Sequence, residues 1–152
     1  MATRKKVLFV CVHNSARSQM AEAFLKKHAG DSFEVESAGL EAGVLNPIVV
    51  EAMQEVGIDI SANKTKEVYQ FLKQGKTFHY VITVCDEASA ERCPIFPGVS
   101  QRMHWGFADP SSFTGSHVTK FSKTREVRDL IKSKVLEFIE KETEVKVHGT
   151  TV

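Results

Sequence analysis

The chain opens with an unbroken apolar run, Val7-Leu-Phe-Val-Cys-Val12, directly after two lysines. A short continuous run rich in β-branched residues predicts a strand covered on both faces, as at the centre of a parallel sheet. The polar segment His13 to Arg17 follows. Met20, Ala21, Phe24, Leu25 and His28 then recur at helical spacing, and Gly30 is placed as a C′ residue. Phe33-Glu-Val-Glu-Ser37 alternates as an edge strand does, and Ala38-Gly39 breaks it. Asn46 supplies a cap and Pro47 a first helical residue for a helix through Val49, Ala52, Met53 and Val56, which Gly57 closes.

In the second half, Lys64 to Lys73 predicts a weaker helix through Val68, Phe71 and Leu72. Tyr80-Val-Ile-Thr-Val-Cys85 predicts a second buried strand with Cys85 at its C-terminal end. Gln101 to Trp105 reads as a short fourth strand and Phe107 to His117 as turn-rich. Val127, Leu130, Ile131, Val135, Phe138 and Ile139 mark a long final helix with a solvated face of Lys and Glu. The tail 143–152 carries no legible role. Strands alternating with helices predict an α/β fold with an open parallel sheet, whose ligands bind beyond the C-terminal strand edges. Cys11 and Cys85 both fall on that edge.

The 152 residues fit a single domain, 1–152. Hydrophobic residues at 42% and charged residues at 26% are ordinary for a globular chain and argue against disorder. Twenty basic against nineteen acidic residues leave a net charge of +1, too balanced for nucleic acid or an anionic membrane surface as principal partner. No apolar stretch approaches a membrane span and no signal-like start is present, so the expected location is cytoplasmic. Three cysteines cannot pair completely, and in a reducing compartment they are structural, metal-binding or reactive. Cys85, Cys93 and His104 do not match zinc-finger spacing and the six histidines show no ligand spacing, so neither a metal nor another cofactor is expected.

The chemistry concentrates in Cys11-Val-His-Asn-Ser-Ala-Arg-Ser18, which joins the first strand to the first helix. Backbone amides of Val12, His13, Asn14, Ser15, Ala16, Arg17 and Ser18 can curl around an anion above a helix N-terminus. The Arg17 guanidinium can hold two oxygens of a tetrahedral anion in a fork, and Cys11 can approach the central atom from below. Amides, a guanidinium and the Ser18 hydroxyl favour the thiolate, so the cradle activates its own nucleophile. The loop has neither dinucleotide nor P-loop glycine spacing, which points to a small anion. The competing reading of Cys11 is a buried small hydrophobe in a core strand. That of Asp109 is a turn residue before Pro110, that of Cys85 and Cys93 is two ordinary thiols, and that of Trp105 is packing.

C-x5-R-S after the first strand, together with Asp109-Pro110, resembles the low-molecular-weight tyrosine phosphatase family. Cys11 to Glu22, Ser37-Ala38-Gly39, Val84-Cys85, Cys93-Pro94 and His104 to Pro110 are similar to the thioredoxin-linked arsenate reductases built on that fold. The resemblance implies a three-layer α/β sandwich with a four-stranded parallel sheet. It also implies a reaction in which Cys11 attacks arsenate held by Arg17 and the loop, Asp109 protonates the departing oxygen, and Cys85 and Cys93 carry the oxidation outward. The Cys85–Cys93 disulfide so implied is reduced by thioredoxin, and phosphate or sulfate would compete as oxyanions. The extra cysteines favour the reductase over a phosphatase, which needs only Cys11, Arg17 and an acid. Ser111 and Ser112 also stand after Pro110, where phosphatases place an aromatic grip for phosphotyrosine. An oxyanion-binding or thiol redox-sensing module is the non-catalytic alternative. His13 and Ala16 stand where many relatives carry Gly and Cys. Lys64 and Lys66 lie where potassium-binding relatives carry an acidic side chain, so a lysine ammonium is expected in the potassium's place.

Overall fold

Four strands, β1 (Lys5–Cys11), β2 (Phe33–Gly39), β3 (Tyr80–Thr83) and β4 (Gln101–His104), form one sheet in the order β2-β1-β3-β4. All three pairings are parallel. The computed structural model describes residues 4–98 and 100–151, with side chains as far as residue 142. The apolar run is the inner strand β1, fully covered from Val7 to Cys11. Its alternation sorts two cores. Val7, Phe9 and Cys11 face α1 (Arg17–Ala29), α2 (Pro47–Glu55) and α5 (His117–Thr151) through Met20, Phe24, Met53, Ile131 and Phe138. Leu8 and Val10 face the opposite side, against Val68 and Phe71 of α3 (Val68–Lys73) and the side chains of Phe78, Val81, Cys93 and Phe96. The result is the three-layer α/β sandwich that the sequence pattern and the resemblance led us to expect.

Trp105 packs between Phe9 and Phe138, with ring centroids 5.7 Å from each. The C-terminal helix is fastened to the sheet where the Tyr80 hydroxyl donates to Glu142 and Lys5 stands 3.9 Å from the same carboxylate. Arg128, buried on α5, donates to the Ala52 carbonyl at 2.9 Å and to Glu55 at 2.6 Å, which ties α5 to α2. Among the described residues no helix is long and apolar enough to cross a membrane.

Several elements depart from the sequence pattern. Gly30 ends α1 in the right-handed conformation (φ −60°), because its N–H continues the helical bonding to Lys26, whereas Gly57 after α2 does take the left-handed one (φ +80°). Residues 64–66 form no helix, Glu67 is extended, and helix α3 starts only at Val68, because Gly39 pairs with Glu67 and donates to the Lys66 carbonyl at 2.8 Å. β3 ends at Thr83, although the Val84 N–H still reaches Val10 O at 2.8 Å, so Cys85 stands just past the strand. The short helix α4 (Glu87–Ala90) is capped by Asp86 and contributes no buried residue, so it leaves no hydrophobic period to read. Leu130 is exposed, and α5 buries Thr124 and Arg128 instead, the latter for its bonds to α2. The expectation of no legible role for the tail 143–152 falls on residues whose side chains lie outside the described set; the α5 backbone continues to Thr151.

Candidate active site

Cys11 is the last residue of β1 and Arg17 the first of α1, so residues 12–16 must reverse the chain at the C-terminal edge of the sheet. Asn14 takes a left-handed conformation (φ 55°), which asparagine tolerates better than most residues. The loop's carbonyls are taken from outside. Cys11 O accepts from Leu40 N–H, Val12 O from Glu41, His13 O from Gly43, Ser15 O from Asn46 and Ala16 O from Met20, all within 2.9–3.0 Å. Among the described residues, none of the N–H groups from His13 to Ala16 donates within the protein. A peptide chain whose carbonyls are fixed outward presents its N–H groups inward, and α1 adds its own N-terminus, which Ala16 leaves without a side-chain cap.

The thiol is set by a polar network beneath the loop. The Asn14 amide oxygen accepts from Lys66 N–H (2.9 Å) and Gln19 Nε2 (3.1 Å), which orients its NH2 toward Ser18 Oγ (2.7 Å) and Ser37 Oγ (3.0 Å). Ser18 Oγ accepts from Asn14 and lies 2.8 Å from Cys11 Sγ, where its proton is available to a Cys11 thiolate. Ser37 in turn donates to Glu22. A carboxylate as buried as Glu22 costs several kcal/mol unless paired. Here Lys26 Nζ lies 2.5 Å from one oxygen and Lys66 Nζ 3.9 Å from the other, and Lys66 also donates to Lys64 O at 3.3 Å. Gly39 leaves room for this arrangement, since a Cβ there would stand 2.6 Å from Asn14 N.

Arg17 is 5% exposed and only partly matched. One terminal nitrogen donates to Phe107 O at 3.2 Å, the other lies 3.6 Å from Asp109 Oδ2, and Nε is buried with no partner among the described residues. Asp109 Oδ1 accepts from Ser111 N–H at 3.0 Å, so Asp109 is both the turn residue before Pro110 and a carboxylate facing Arg17. His13 sits on the rim, half-exposed, with Nε2 3.5 Å from Glu41.

The three thiols are free and buried, but they do not lie together. Cys85 belongs to the same core as Cys11. Burial pushes its thiol up to about 11, and Arg17 draws it only part of the way back. Cys93 packs in the second core, on the other face of the sheet, where burial also raises it and Arg102 lowers it. Among the described residues no three His, Cys, Asp or Glu side chains converge as a metal site. Sequence reasoning quoted Gln19, Glu22 and Ser37 only within the motifs that carry the resemblance and gave them no role, and it passed over Asn63, which donates to Gln19 Oε1 at 3.0 Å. Their signal was a polar stripe, Ser18, Gln19 and Glu22, on a helix whose neighbouring positions are apolar.

A strand–loop–helix turn that begins with a thiol and leaves the N–H groups from His13 to Ala16 without a described partner, at the carboxyl edge of this sheet, has the geometry to receive a small oxyanion beside a cysteine nucleophile. Residues 6–148 match the low molecular weight phosphotyrosine protein phosphatase family, and the chain belongs to it. The arsenate reductase of Halalkalibacterium halodurans is 43% identical over 137 residues, spanning 90% of this chain and 96% of that one. A solved arsenate reductase in the phosphate binding state is 32% identical with a TM-score of 0.70, covering 90% of this chain and 98% of that one. The thioredoxin-dependent arsenate reductase of Corynebacterium glutamicum is 29% identical with a TM-score of 0.70, covering 92% of this chain and 62% of that one.

Proposed function

We propose that the chain reduces arsenate to arsenite, with thioredoxin as the reductant. The observation that carries this reading is the loop between Cys11 and Arg17, where the N–H groups from His13 to Ala16 and Arg17 Nε have no partner among the described residues, with a second thiol, Cys85, in the same core as Cys11. The names of its relatives support it. The N–H groups and Arg17 hold the arsenate oxygens as Cys11 sulfur attacks arsenic, and Asp109 protonates the oxygen that leaves as water. Cys85 then attacks Cys11 sulfur; the sulfur–arsenic bond breaks with its electron pair on arsenic, releasing arsenite and leaving a Cys11–Cys85 disulfide. Cys93 attacks Cys85, which frees Cys11 as a thiolate, and thioredoxin reduces the Cys85–Cys93 disulfide. Two thiols thus supply the two electrons. Because Cys93 starts on the opposite face of the sheet, the third step requires the segment between Cys85 and β4 to rearrange.

The test is arsenate-dependent oxidation of NADPH coupled through thioredoxin reductase and thioredoxin, run on three variants. Cys11→Ser is expected to lose both arsenate reduction and hydrolysis of a small phosphate ester. Cys85→Ser is expected to lose reduction alone, since water resolves a thiol-phosphate. Cys93→Ser is expected to complete at most one turnover and accumulate a Cys11–Cys85 disulfide by peptide mapping. Sustained turnover by Cys93→Ser, or reduction unaffected by Cys85→Ser, would overturn the relay.

A further inference from the structure

The segment that carries Cys93 leaves α4 through turn bonds, Arg92 N–H to Ser89 O at 3.0 Å and Cys93 N–H to Ala90 O at 3.1 Å, and side chains hold its carbonyls. Three consecutive carbonyls are bound from both flanks: Arg92 O accepts from the Tyr69 hydroxyl of α3 at 3.2 Å, and Cys93 O and Pro94 O accept from the two terminal nitrogens of Arg102 at 3.4 and 3.3 Å. Arg102 lies on the edge strand β4, in register with Val81, whose side chain belongs to the second core. Cys93 is only 5% exposed in that core, and its sulfur also lies 3.6 Å from Pro94 O. Nothing in the oxyanion cradle touches Arg102, so its bonds bear on the third thiol and not on the first chemical step.

We propose that Arg102 is the positioning residue of Cys93: its guanidinium fork, with Tyr69 opposite, clasps the Arg92–Pro94 carbonyls and holds the thiol in the second core until the segment is released toward Cys85. Its purpose rests on the relay reading above, but its measurement does not. A forked guanidinium on two successive carbonyls resists opening more than either bond alone, and a lysine at the same place offers a point charge on a flexible stem without the fixed fork. The clasp also keeps Cys93 from adventitious thiol chemistry while Cys11 is idle.

The experiment is iodoacetamide alkylation of the reduced protein without arsenate, with Cys85 and Cys93 rates followed separately by peptide mapping. Buried thiols react through local opening, so the rate reports how often the segment lets go. Arg102→Gln is expected to raise the Cys93 rate about tenfold, the scale of losing charge-assisted hydrogen bonds, and to leave Cys85 unchanged. Arg102→Lys should fall between glutamine and wild type, and Tyr69→Phe should give a smaller rise. A Cys93 rate in Arg102→Gln equal to wild type would overturn the clasp. So would Cys85 and Cys93 rising together, which marks general loosening of the fold, or a lysine variant as reactive as the glutamine one. If wild type does not reduce arsenate yet Arg102→Gln exposes Cys93 selectively, the relay fails and the clasp stands.

Discussion

Arg17 turns two of its nitrogens to the protein and keeps a third, buried, without a partner among the described residues. An ammonium in its place has neither the fork nor the reach to Phe107 O and Asp109 together. Arg17→Lys is therefore expected to lower kcat/KM for arsenate by about 10²–10³-fold, as losing an oxyanion donor does, with an unchanged circular dichroism spectrum. Undiminished kcat/KM would remove Arg17 from the cradle. Asp109 divides its oxygens between the Ser111 N–H and Arg17. Asn keeps the turn bond but cannot give up a proton, so Asp109→Asn should slow single-turnover chemistry by about 10²–10⁴-fold if it is the acid. A loss under about tenfold in the chemical step would leave only the turn role.

At the scale of elements, three pieces of chain meet beneath the loop: α1 brings Glu22, β2 brings Ser37, and the stretch before α3 brings Lys66. Lys66 Nζ lies 3.9 Å from Glu22 and donates to Lys64 O, so an ammonium already stands beside this carboxylate and leaves a monovalent cation little to add. Replacing sodium by potassium at fixed ionic strength should then leave kcat/KM unchanged, and marked activation in steady-state kinetics would count against it. The same meeting explains why the helix expected over 64–73 loses its first turn. Once Gly39 and Asn14 recruit the backbone of Lys66, those residues cannot also make helical bonds.

For the molecule as a whole, burial of Cys85 has a consequence for stability. Its thiol titrates near 11 in the fold, against about 8.5 in an unfolded chain, so the unfolded state loses its proton first and stability falls as pH rises between those values. Tyr80, raised by burial and by Glu142, adds to the loss above its ordinary range. The denaturant midpoint is expected to decline across this alkaline interval, and more shallowly in Cys85→Ala. An identical slope in the variant would mean that the Cys85 thiol is not held protonated by the fold.

The sequence by itself determined which residues could be strands, because a run apolar at every position, such as Val7 to Val12, can be satisfied only between two layers. It also placed Cys11 and Arg17 at the ends of one short loop, since a strand and a helix adjoining in sequence leave their junction no other position. Those are local constraints, and they survive folding. What only the tertiary structure decided are the meetings between segments distant in the chain. Lys66 reaches Asn14 and Glu22, Asp109 reaches Arg17, and Cys85 shares a core with Cys11 while Cys93 goes to the other. Periodicity gives the face a residue presents but not the partner it finds; the strand order β2-β1-β3-β4 and the crossing loops set the partner.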